Sequence, residues 1–92
     1  MLLIRHSIGS RLFYQTEEYE VFPEQDKWVV SIKTSEDAAN KIIKFKEELN
    51  LFDVEKNQKT WYYTSDANVE FDKEKGIITI IADHKTVYPF TN

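Results

Sequence analysis

The sequence predicts an α+β domain: a curved antiparallel sheet of five to seven strands packed on one amphipathic helix, in the order β-β-β-α-β-β-β. Three observations predict it. Apolar residues recur at helical spacing over about residues 35–50 only. Segments on both sides of that stretch alternate apolar and polar with the period of a strand. Turn residues separate these segments at short intervals. At 92 residues the chain is read as a single domain, 1–92, because chains this short rarely build two cores.

The first segments, Leu2-Leu3-Ile4 and Leu12-Phe13-Tyr14, flank His6-Ser7-Ile8-Gly9-Ser10 and read as a hairpin bent at Gly9. Glu18-Tyr19-Glu20-Val21-Phe22 alternates, and so does Lys27 to Lys33, where Trp28, Val30 and Ile32 share one face. Between them, Pro23-Glu24-Gln25-Asp26 reads as a turn, since proline presets the first turn angle.

The helix follows. Ala38, Ile42, Phe45, Leu49 and Phe52 fall on one stripe, widened by Ala39 and Ile43. Thr34 or Ser35 can cap the first turn, and Glu36 and Asp37 put negative charge at the positive end of the helix dipole. Asn50 is the expected stop.

After the helix, Thr60 to Thr64 is rich in β-formers, Thr64 to Ala67 is turn-like, and Asn68 to Phe71 alternates. Asp72 to Gly76 fits a type I turn closed by a left-handed glycine. Ile77 to Ala82 is apolar on both faces, so cover is needed on both. A turn at 83–86 then leads to an edge segment, Val87-Tyr88-Pro89-Phe90, because Pro89 has no N–H to donate.

Composition narrows the functions. There is no cysteine, which removes disulfide frameworks, thiolate metal sites and cysteine nucleophiles. The start, Met1 to Ile4 followed by Arg5 and His6, does not form the apolar stretch of a secretory signal, so a cytoplasmic location is expected. No run approaches the roughly 20 apolar residues of a membrane helix. The formal charge is −4, with no clustered Lys and Arg, so direct binding of nucleic acid is not expected. No P-loop, dinucleotide fingerprint, nucleophile elbow or His-Glu-x-x-His occurs, and no cofactor or metal is expected.

Two candidate surfaces remain. Glu17, Glu18, Glu20, Glu24 and Asp26 are interleaved with Tyr19, Phe22 and Pro23, with no basic residue before Lys27. Acids alternating with rings can meet a basic surface on a protein partner, the charges speeding encounter and the rings anchoring it. In Trp61-Tyr62-Tyr63 the rings must divide between the two faces of a strand, and Tyr62 is taken as the outward one. The expected function is therefore a small acidic, non-enzymatic protein-binding domain. It would act as an inhibitor, adaptor or regulatory subunit by surface complementarity, for instance against a nucleic-acid-binding enzyme in bacterial or phage counter-defence. A second reading is a self-associating protein, monomer or homodimer, pairing through Ile77 to Ala82. A third is a metal-free nuclease or hydrolase with His6 and His84 as its acid–base pair.

Overall fold

In the computed structural model, residues 1–64, 66 and 68–90 are described. The strands are β1 (Leu2–His6), β2 (Leu12–Thr16), β3 (Tyr19–Glu24) and β4 (Lys27–Lys33), then helix α1 (Glu36–Lys44), then β5 (Leu49–Val54), β6 (Gln58–Tyr63), β7 (Val69–Asp72), β8 (Ile77–Ala82) and β9 (His84–Pro89). They form two antiparallel sheets. One has the order β2-β1-β5-β6-β9 and the other β3-β4-β8-β7. The chain lays down its strands in pairs, each pair in the opposite sheet from the last, and β9 returns to the first sheet. Among the described residues no helix is long and apolar enough to cross a membrane.

The α+β class, with one helix between strands, is what the structure shows. The strands, however, number nine among the described residues, and they lie in two sheets where the sequence pointed to five to seven in one. Four strands precede the helix instead of three. The apolar face of each sheet covers the other. Leu2, Ile4, Leu51 and Tyr62 from the first sheet meet Val30, Ile32, Ile78 and Ile80 from the second in one core. This answers the need for cover at β8. Ile78, Ile80 and Ala82 fill the space between the sheets, while Ile77, Thr79 and Ile81 line the outer face and are half-buried.

The helix ends earlier than its stripe suggests. Ser35 caps it, its hydroxyl accepting from the backbone N–H of Ala38 at 3.2 Å, and Phe45 closes it. Leu49 and Phe52, expected on the helix, belong to β5. That segment pairs with β1 on one side and β6 on the other, so two full ladders of backbone hydrogen bonds replace the helical ones. Its alternation is clean: Leu49, Leu51 and Asp53 turn inward. The shortened helix packs against β2 and β7, one edge strand from each sheet, and Ala39 and Ile42 bury its apolar side.

Two turns differ from expectation. Pro23 lies within edge strand β3, opposite Trp28, and the turn is Gln25-Asp26, with Gln25 in the left-handed region at φ 58°. The chain also re-enters strand at His84, leaving only Asp83 between β8 and β9. The loop ending in Gly76 is as read: its φ is 66° and its N–H reaches the Asp72 carbonyl at 2.9 Å. Of the expected turn at Thr64 to Ala67, Ser65 and Ala67 lie outside the described residues.

Candidate functional site

The acidic segment becomes the connection from β2 to β3 and then β3 itself, an edge of the second sheet. Alternation along β3 divides its side chains. Glu20, Phe22 and Glu24 stand opposite Ser31, Val29 and Lys27 and point away from the core. Phe22 is 43 % exposed, a large ring held in water between two carboxylates. Glu17 and Glu18 occupy the preceding turn. The Thr16 hydroxyl accepts the Glu18 N–H at 2.9 Å, and the Glu18 carbonyl accepts the Lys33 N–H at 3.1 Å. Glu17, Glu18 and Glu20 line an open cleft of about 380 Å³ with Tyr19, Ser31, Lys33 and Ile77. Asp26 is exposed in the turn beyond β3. The structure thus brings five carboxylates and one exposed ring to a single edge.

Two of the predicted contact residues serve the interior. Tyr19 faces the core, and its hydroxyl donates to the Asp53 carboxylate at 2.5 Å. Burial, then that bond and the neighbouring negative charge, push its pKa well above the usual tyrosine value. Tyr62 is 5 % exposed, which corrects its assignment to the outer face. It stands opposite Leu51, so the alternation of β6 turns Thr60 and Tyr62 inward and Trp61 and Tyr63 outward. Its phenol is also shifted upward, first by burial and then by Asp53 and Glu55.

The two histidines do not meet. His6, on the core side of β1, packs between Phe13 and Phe45 with ring centroids 5.4 and 5.0 Å away. Its Nε2 lies 3.1 Å from Glu48. His84, on β9, stacks on Tyr63 on the outer face, and its Nδ1 lies 2.7 Å from Asp83. Strands β5 and β6 separate β1 from β9, about 14 Å at the usual strand spacing. The two rings therefore share no cleft. Among the described residues no three His, Asp or Glu side chains gather as a metal site. The central position of β8 between β4 and β7 also leaves it no free edge for a second copy.

The ring surface expected at 61–63 lies on the outer face of the first sheet, and it is carried by Trp61 and Tyr63 in place of Tyr62. Trp61 stacks on Tyr63 at 4.8 Å, and Tyr63 on His84 at 4.2 Å with the planes 8° apart. The indole N–H of Trp61 donates to the Asn50 side-chain Oδ1 at 2.9 Å. Lys59 lies 5.3 Å from the centre of the Phe52 ring and 5.8 Å from that of Tyr88. Asn50, Phe52, Lys59, Trp61 and Tyr88 line an open, shallow cleft of about 300 Å³. The sequence signal is the ring cluster 61–63, but it shows the face only once the phase of β6 is known. No family model matches the chain, and no curated protein or solved structure matches it.

Proposed function

We propose that this chain is a non-enzymatic protein-binding domain, an inhibitor, adaptor or regulatory subunit that meets a basic partner through the outer side of β3. The observation that supports it is the row Glu20, Phe22, Glu24 on one exposed face, extended by Glu17 and Glu18. Carboxylates in this arrangement attract a Lys- and Arg-bearing surface from a distance. Phe22 then supplies the apolar contact that water leaves on docking. An enzyme that handles nucleic acid carries such a basic surface and is the partner class this edge suits. A cysteine-free chain fits a cytoplasmic setting.

The test compares the wild-type chain with a variant in which Glu17, Glu18, Glu20 and Glu24 are all serine. Both are used to capture proteins from the native host. Proteins held only by the wild type are purified and titrated at rising salt. A partner that the variant loses, and whose affinity falls as salt rises, supports the reading. Equal capture by both chains, or no protein that distinguishes them, overturns it.

Self-association remains as a second reading at a different strand. Among the described residues the outer edge of β9 is unpaired; all six of its residues are exposed, and Val87, Tyr88 and Phe90 add apolar side chains there. Sedimentation at micromolar concentration decides it: a dimer that Val87→Lys dissociates supports it, and a monomer ends it.

A further inference from the structure

We propose that the cleft on the outer face of the first sheet binds a free mononucleotide, its base against Trp61 and its phosphate on Lys59. Tyr63, two residues beyond Trp61 on β6, covers one face of the indole. Trp61 and Lys59, two residues apart on the outward side of β6, both line the cleft. The Asn50 bond fixes the indole's rotation, so the ring is already oriented for a flat partner. Aromatic side chains hold nucleobases by such stacking without regard to sequence.

Charge selects the second half of the ligand. Lys59 makes no ion pair among the described residues, and its ammonium lies between Phe52 and Tyr88, inside the cleft. The outward positions of the five strands carry Arg5, Lys59 and His84 and no carboxylate; the Asp83 carboxylate, in the link before β9, lies against His84, four residues along the β6 face from Lys59. The acidic residues of β3 lie on the other sheet. An anionic group placed at Lys59 therefore meets a positive charge with no carboxylate on the strands around it. The volume of about 300 Å³ suits one ring and one phosphate, and the overall charge of −4 disfavours a polyanionic strand. The same cleft leaves Asn50 to hydrogen-bond a base edge with its side-chain amide N–H, since its carbonyl is occupied by Trp61.

The chain has two tryptophans, so a nitrogen–proton spectrum shows two indole signals, and Trp28→Phe assigns the one from Trp61. Titration with adenosine 5′-monophosphate is expected to move the Trp61 signal to saturation. Adenosine, which lacks the phosphate, is expected to bind at least tenfold more weakly, and so is the mononucleotide to Lys59→Gln. Inorganic phosphate alone is expected not to saturate the shift. The proposal is overturned if the signal does not move at millimolar nucleotide, if adenosine binds equally well, if Lys59→Gln leaves the affinity unchanged, or if only a single-stranded oligonucleotide binds. Retained partner capture through β3 in Lys59→Gln keeps this outcome separate from the reading above.

Discussion

The phenolic hydroxyl of Tyr19 donates to the Asp53 carboxylate at 2.5 Å, and this bond joins the two sheets. Tyr19 belongs to edge strand β3 of one sheet, Asp53 to central strand β5 of the other. The N-terminal ammonium of Met1 also reaches the Tyr19 oxygen, at 3.0 Å. Asp53 is 7 % exposed, so water cannot replace a partner it loses.

Tyr19→Phe keeps the ring and removes the donor. An unsatisfied buried acceptor costs about 1–3 kcal/mol. For a domain of this length that lowers the melting temperature by about 4–8 °C for each kcal/mol. Thermal unfolding followed by circular dichroism checks it, and a melting temperature within 1 °C of wild type would show that the bond contributes nothing net.

Tyr19 and Tyr62 together set an alkaline limit. The pKa values of both Tyr19 and Tyr62 are raised in the fold, in each case first by burial and then by nearby carboxylates. A group whose folded pKa lies above its unfolded value of about 10 holds its proton more tightly when folded. Its contribution is complete below that pH and is lost as pH rises toward the folded value. Stability is therefore expected to hold steady through neutral pH on this account and to fall above about pH 10. In the folded chain Tyr19 and Tyr62 are expected to ionise at higher pH than they do in the unfolded chain. Ultraviolet titration of the wild type against Tyr19→Phe and Tyr62→Phe, run beside circular dichroism, isolates each phenol. Either of the two titrating near pH 10 in a still-folded chain would contradict the assignment.

Leu51 tests the boundary between helix and strand. Position 51 falls off the stripe that joins Ala38, Ile42, Phe45, Leu49 and Phe52, so a continued helix would turn Leu51 to water. In β5 it is fully buried between the sheets. Leu51→Ala is expected to cost about 2–5 kcal/mol, as for other core leucines. Leu12→Ala, at an exposed edge position, is expected to change stability by less than about 0.5 kcal/mol. Urea unfolding of the two variants decides it, and equal effects would refute the strand assignment.

That boundary also shows why part of the fold was legible in the sequence and part was not. The start of α1 is local: Ser35, Glu36 and Asp37 act on the turn beside them. The Gly76 loop is local too, because its backbone conformation depends on its own residues. The end of α1 is not local. Leu49 and Phe52 fit both a helical and a strand pattern, and only pairing with β1 and β6 chooses between them. The site divides in the same way. Glu20, Phe22 and Glu24 are two apart on one strand, so a common face follows from the period of two. Three successive rings at 61–63 carry no phase of their own. The inward turn of Tyr62 is set by Leu51 across the ladder, and the cleft exists only because β5, β6 and β9 stand side by side.

The four glutamates of the acidic edge should be separable from folding. Glu17, Glu18, Glu20 and Glu24 are all exposed. Among the described residues, the one ion pair they make joins Glu17 to the Met1 ammonium at 3.5 Å, and a pair so exposed contributes about 0–1 kcal/mol. Changing all four to serine also removes the excess of 16 acidic over 12 basic residues, and with it the self-repulsion of the folded chain. These effects oppose each other, so the unfolding free energy is expected to stay within about 1 kcal/mol of wild type. Solubility is expected to drop instead, because a chain near zero net charge associates more readily. Denaturant unfolding at low protein concentration measures the first, and light scattering at high concentration the second. A loss of more than about 2 kcal/mol would mean that these carboxylates hold the edge strand in place, since isolated surface substitutions do not cost that much. In that case, weaker partner capture by the variant would report on folding rather than on docking.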